Sequence, residues 1–131
     1  ARHRRDRASR VPRMGTAEEP LELVRAIGTH SRGDTLVVVD CLTLWLTARM
    51  LPAAGGLQPP PDESLVAAPA AAAAGPLLLV SNEIGLGVIP MGRETRAFVD
   101  ALGRINQQAA LACERVTLMA AGLPLLLKGS A

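Results

Sequence analysis

At 131 residues and a formal net charge of +2, the chain suits one ordinary domain and is too short for two. Its core must be built from Leu, Val, Ile and Ala, because Trp45 and Phe98 are its only aromatics, and recognition of single-stranded nucleic acid by stacked rings loses its usual equipment. No apolar run reaches membrane-spanning length and no signal peptide precedes the domain, so a cytoplasmic protein is expected.

The chain opens on a basic, irregular segment in which Arg2, Arg4, Arg5, Arg7, Arg10 and Arg13 face only Asp6. Two readings stand side by side: a solvated terminus, or a phosphate-gripping segment whose guanidinium groups match phosphate oxygens in pairs. A duplex-binding arm would want a recognition helix after it, and none follows. His3 in this cluster is either surface decoration or a nucleophile acting through a ring nitrogen, with the arginines neutralising a phosphate there.

A helix is expected next, starting at Gly15 or Thr16 with Pro20 in its first turn and Leu21, Val24 and Ile27 at helical spacing. His30 falls in its helix-to-turn end and is read as ordinary. Residues 35–40, TLVVVD, form a strand that ends in the acid Asp40, and residues 41–51 read as a helix. Residues 52–61 are a turn-rich linker. Residues 62–74 are an alanine-rich helix, capped by Asp62 or Ser64 and kinked or shortened by Pro69.

Residues 77–90, LLLVSNEIGLGVIP, are the stretch around which the others are arranged. Four uninterrupted apolar residues predict a strand buried on both faces, followed by Ser81, Asn82 and Glu83 and a glycine-spaced turn. Ligands of open α/β sheets bind beyond the carboxyl ends of such strands, so Asn82 and Glu83 either face a ligand or cap the next element. Residues 93–114 follow as the longest helix, with Phe98, Ala101, Leu102, Ile105, Ala109 and Ala112 on one stripe. Residues 116–120 are a third strand, 122–124 a turn, and 125–128 a short edge strand. Strands alternating with helices predict an α/β domain with a mainly parallel sheet over residues 1–131.

In such a sheet Asp40 and Glu83 leave from the same edge, where two acids suit a magnesium-held nucleotide or its ribose hydroxyls. The phosphate-loop pattern Gly-x-x-x-x-Gly-Lys-Ser/Thr is not found, since Gly85-Leu86-Gly87 is too short and lacks a lysine. Cys41 and Cys113 sit far apart in apolar settings and read as small core residues.

Several segments together resemble the bifunctional adenosylcobinamide kinase / adenosylcobinamide-phosphate guanylyltransferase family. They are Ala1-Arg2-His3-Arg4 with Asp6-Arg7, Thr16-Ala17-Glu18-Glu19-Pro20, VVVDCLTLWLT (37–47), VSNEIGLGVIP (80–90), GRINQ (103–107) and AGLPLLLKG (121–129). The resemblance implies a P-loop NTPase-like (RecA-like) α/β fold, of which the chain begins after the first strand and phosphate loop. It implies phosphorylation of adenosylcobinamide, then transfer of GMP from GTP to adenosylcobinamide phosphate through a guanylyl-histidine, with GTP, ATP and Mg²⁺ in use and a homotrimer as the assembly.

On this chain the resemblance makes His3 the guanylylated residue and places Arg4, Arg5, Asp6 and Arg7 in the nucleotide-contacting run after it. Glu18 and Asp40 match acids that contact the guanine nucleotide, Asp40 at the ribose. Asn82 and Glu83 belong to the family motif without an assigned role, and no metal ligand is assigned. The alternative is a truncated or degenerate relative that binds a corrinoid or a partner subunit without turnover. Neither a nucleic-acid partner nor a membrane span is expected.

Overall fold

A computed structural model describes residues 11–53 and 55–130. In chain order these hold α1 (Leu23–His30), β1 (Val37–Asp40), α2 (Leu42–Met50), α3 (Ser64–Ala72), β2 (Leu77–Val80), α4 (Arg93–Ala112), β3 (Val116–Ala120) and β4 (Leu123–Lys128). No helix among the described residues is long and apolar enough to cross a membrane.

The four helices meet in one core. Leu23 and Ile27 of α1 are buried four residues apart, and Leu42, Trp45, Leu46 and Met50 make the matching stripe on α2. Val66 of α3 and the stripe Ala101, Leu102, Ile105 and Ala109 of α4 complete it, and Leu46 and Leu102 are wholly inaccessible to solvent. At about 25 cal/mol per Å² of apolar surface, each such leucine contributes about 2 kcal/mol by leaving water.

Two local differences from the expected helices have simple causes. Pro20 lies outside α1, which begins at Leu23, because the Glu19 carboxylate accepts from the backbone N–H groups of Leu21 (3.2 Å) and Glu22 (3.1 Å). Those amides are thereby satisfied in a turn ahead of the helix rather than inside it. The α3 helix spans nine residues with Pro69 inside it, shorter than the run of small apolar residues that contains it. Its start is held by Asp62, whose carboxylate accepts from the Ser64 N–H at 2.9 Å.

The strands form two separate pairs. β1 and β2 are parallel, with Val37 opposite Leu77 and Asp40 opposite Val80. Gly75, just ahead of β2, passes so close to the Arg32 carbonyl that a Cβ at this position would overlap it, and its N–H bonds the Ser31 hydroxyl at 3.2 Å. β3 and β4 are an antiparallel hairpin, and among the described residues no ladder joins it to β1 or β2. The expected single, mainly parallel sheet is therefore parallel only in its β1–β2 half.

Nor is β2 buried on both faces. Leu77 and Leu79 pack toward the core, while Leu78 is 50% and Val80 38% exposed, so the apolar run covers one packed face and one open one. The expected turn at 122–124 also shifts: Ala121 and Gly122 alone form the loop, and Leu123 and Pro124 already belong to β4. Lys128 at the far end of β4 donates to the carbonyls of Ala110 (2.8 Å) and Leu111 (3.0 Å), capping the last turn of α4 and fastening the hairpin to it.

Candidate active site

Because β1 and β2 are parallel and in register, Asp40 and Val80 end their strands side by side. Ser81, Asn82 and Glu83 therefore emerge at the edge from which Asp40 also leaves, as expected of a parallel pair. Directly after Asp40 the chain turns into α2, and Thr43 in its first turn faces the residues that follow β2. The Thr43 hydroxyl accepts from both the backbone N–H (3.1 Å) and the side-chain Nδ2 (3.0 Å) of Asn82.

From the other side Asn106 of α4 reaches the same three residues. Its Oδ1 accepts from the Ser81 hydroxyl at 2.6 Å, and its Nδ2 donates to the Asn82 carbonyl (3.1 Å) and the Glu83 carboxylate (3.4 Å). The other carboxylate oxygen of Glu83 accepts from the Gly85 N–H at 3.1 Å. Residues 81–83 are thus tied to two helices and to the loop that follows them.

A cavity of about 930 Å³ opens along β1 and α1, and Glu18 and Asp40 both line it. His30 and Arg32, from the α1–β1 connection, line it as well. The strand of chain carrying Glu18 is held by the Trp45 indole, which donates to the Leu21 carbonyl at 3.1 Å. Next to Glu18, Glu19 is kept below the ordinary carboxylate range by the N–H groups of Glu22 and Leu21, with Arg25 adding to the effect. Two carboxylates converging on a cavity of this size accept from hydroxyl and N–H groups of a ligand, or share a cation with its phosphates.

A second cavity, of about 540 Å³, lies between the loop after β2 and α4. Ile84, Val88 and Ile89 give it an apolar wall, and Val88 and Met91 of this loop are 96% and 97% exposed. Arg96 holds the end of the loop by donating to the carbonyls of Pro90 (3.0 Å) and Met91 (2.6 Å). Arg104, on the same cavity, pairs with Glu63 at 2.6 Å.

Of the residues expected from sequence, Glu18 and Asp40 share a cavity, while Asn82 and Glu83 stand at the adjoining strand end. His3, Arg4, Arg5, Asp6 and Arg7 lie outside the described residues. Sequence reasoning missed Thr43 and Asn106. The signal available for Asn106 was its place four residues after the buried Leu102 and beside Ile105, where a half-buried polar side chain turns toward the sheet end instead of outward.

An α/β protein with acids at the carboxyl edge of a parallel strand pair, and with a cavity beside them, has the arrangement in which open α/β sheets receive their ligands. The chain matches the family model described as cobinamide kinase / cobinamide phosphate guanyltransferase over residues 1–127. It is 42% identical over 123 residues to the bifunctional adenosylcobalamin biosynthesis protein CobP of Pseudomonas aeruginosa, covering 94% of this chain and 70% of that protein. Against the bifunctional adenosylcobalamin biosynthesis protein CobU of Escherichia coli it is 30% identical over 140 residues, covering 98% of this chain and 77% of the relative. The chain belongs to the cobinamide kinase / cobinamide phosphate guanyltransferase family.

Proposed function

We propose that this protein, on a P-loop NTPase-like α/β fold, phosphorylates adenosylcobinamide and transfers GMP from GTP to adenosylcobinamide phosphate. It does so as a cytoplasmic homotrimer in cobalamin biosynthesis. The observation that supports this reading most directly is the convergence of Glu18 and Asp40 on one cavity large enough for a nucleotide. Both carboxylates are acceptors, suited to the N–H and hydroxyl groups of a guanine nucleoside, with Asp40 at the ribose.

The transfer runs in two displacements. The neutral imidazole of His3 attacks the α-phosphorus of GTP, an N–P bond forms, and the P–O bond to pyrophosphate breaks. Arg4, Arg5 and Arg7 spread the charge of the leaving pyrophosphate, while Asp6 lies in the same nucleotide-contacting run. A phosphate oxygen of adenosylcobinamide phosphate then attacks the same phosphorus. The N–P bond breaks, and the imidazole leaves with a proton on its ring. Splitting the reaction replaces one difficult transfer by two easier displacements.

Mg²⁺ suits the donors present, because it takes one or two carboxylates plus phosphate oxygens, and no cluster of three protein ligands occurs among the described residues. When bound it neutralises triphosphate charge. The phosphorylation half, with ATP or GTP as donor, needs a main-chain phosphate cradle whose motif none of the 131 residues supplies. The second reading is a relative that binds corrinoid or a partner subunit without turnover.

Intact mass after incubation with GTP and Mg²⁺ separates the two. A GMP adduct on the unaltered protein that vanishes in His3→Ala supports the transferase and its nucleophile. A folded protein with no adduct overturns the transferase reading and leaves binding without turnover.

A further inference from the structure

Residues 81–83 connect elements of both cavities along the chain: Asp40, the register partner of Val80, lines the larger one, and Ile84 lines the smaller. The Asn106 side chain makes three hydrogen bonds, one to each of these consecutive residues, and the Thr43 hydroxyl holds Asn82 as well. Ser81, Asn82 and Glu83 are exposed, where water could satisfy their groups, while Thr43 and Asn106 are half-buried. For the three exposed residues the network answers no burial requirement, and what it adds is direction.

The direction has chemical content. A carboxylate is an acceptor only, and Asn82 donates its Nδ2 to Thr43 while its Oδ1 accepts no hydrogen bond among the described residues. Acceptor oxygens of this kind suit the N–H groups of an amide-bearing acceptor molecule and repel a triphosphate. We propose that Asn106, assisted by Thr43, is a positioning residue for the second half of the transfer. It fixes Asn82 and Glu83 so that they receive amide N–H groups of the corrinoid acceptor, while the nucleotide occupies the cavity of Glu18 and Asp40. This rests on the transferase reading above.

The two half-reactions test it in the protein as its host makes it. In Asn106→Ala, formation of the GMP adduct from GTP alone stays within about twofold of the unaltered protein, while release of the adduct onto adenosylcobinamide phosphate slows about tenfold. Thr43→Val shows the same split, and Thr43→Ser, which keeps the hydroxyl, restores transfer. Apart from turnover, the Gly85 amide, held by Glu83, exchanges its hydrogen faster in Asn106→Ala at an unchanged melting temperature.

Transfer within twofold of the unaltered protein overturns the proposal, as does unchanged Gly85 exchange. So does a loss of both half-reactions that tracks a lowered melting temperature, which marks a merely structural role. An unaltered protein that forms no adduct overturns the transferase reading itself and the positioning role with it, a result distinct from adduct formation with unimpaired transfer in the variants.

Discussion

The indole Nε1–H of Trp45 donates to the backbone carbonyl of Leu21 at 3.1 Å, and this bond joins the two halves of the larger cavity. Trp45 sits on the helix that starts after Asp40, and Leu21 closes the segment that carries Glu18. This hydrogen bond between a core side chain and a surface segment therefore helps to set the spacing between the two acids. In Trp45→Phe the buried ring is largely kept and the donor is lost. The expected result is a stability loss of about 1 kcal/mol in chemical denaturation. GTP binding by calorimetry should weaken about threefold or more, as the Glu18 segment drifts from Asp40. Unchanged affinity in a correctly folded variant would show that the segment is held by other means.

The acids themselves make a sharper test. Hydrogen bonds from a neutral donor to a charged carboxylate contribute about 1.5–3 kcal/mol, so Glu18→Gln and Asp40→Asn should each weaken GTP binding about tenfold or more. Both side chains are exposed at the cavity wall, so far-ultraviolet circular dichroism should stay close to that of the unaltered protein. Affinity for GTP that survives both substitutions would place the nucleotide elsewhere.

Acid sensitivity follows from two carboxylates with known partners. Glu19 is held below its ordinary pKa by the N–H groups of Glu22 and Leu21, and Asp62 by the N–H and hydroxyl of Ser64. Each group is harder to protonate in the folded chain than in the unfolded one, so in acid the unfolded state binds more protons and stability rises with pH. The contribution is present above the ordinary carboxylate range and is lost as pH falls through the lowered folded values. Melting temperature followed from neutral pH into acid should fall more gently in Glu19→Gln and Asp62→Asn than in the unaltered protein. Parallel curves would remove these groups as sources of acid lability.

How much of this was readable in the sequence depends on the kind of contact involved. The strands VVVD and LLLV were legible because a continuous apolar run ending in a polar residue has few other uses, and the strand-end places of Asp40 and Glu83 followed from them. The stripe on α4 was legible through its period, and Ala101, Leu102, Ile105 and Ala109 are buried. Pairing was only half legible: strands on either side of a turn at 122–124 were expected, but the antiparallel pairing and the tight loop at Ala121 and Gly122, with their positive φ angles, were not. The late start of α1 was hidden too, because Glu19 looks like a first-turn acid whether it sits inside the helix or ahead of it. The clamp of Thr43 and Asn106 on residues 81–83 spans 39 and 24 residues of sequence, a separation that no periodicity reports.

The hairpin supplies the last prediction. Ala121 has φ 53° and Gly122 φ 78°, so both central residues of the two-residue loop between Ala120 and Leu123 are left-handed, as the twist of an antiparallel pair favours. Glycine adopts that conformation freely, whereas an L-residue with a Cβ is disfavoured there by about 1 kcal/mol. Ala121→Gly should therefore stabilise the hairpin, with part of the gain offset by the greater freedom of the unfolded chain. The net expectation is a gain of about 0.5 kcal/mol and a melting temperature higher by a few degrees. Because Lys128 carries the hairpin onto the end of α4, the added stability should also appear as slower hydrogen exchange at the last turn of that helix. A lowered melting temperature would mean that the alanine side chain contributes more to this turn than its backbone conformation costs.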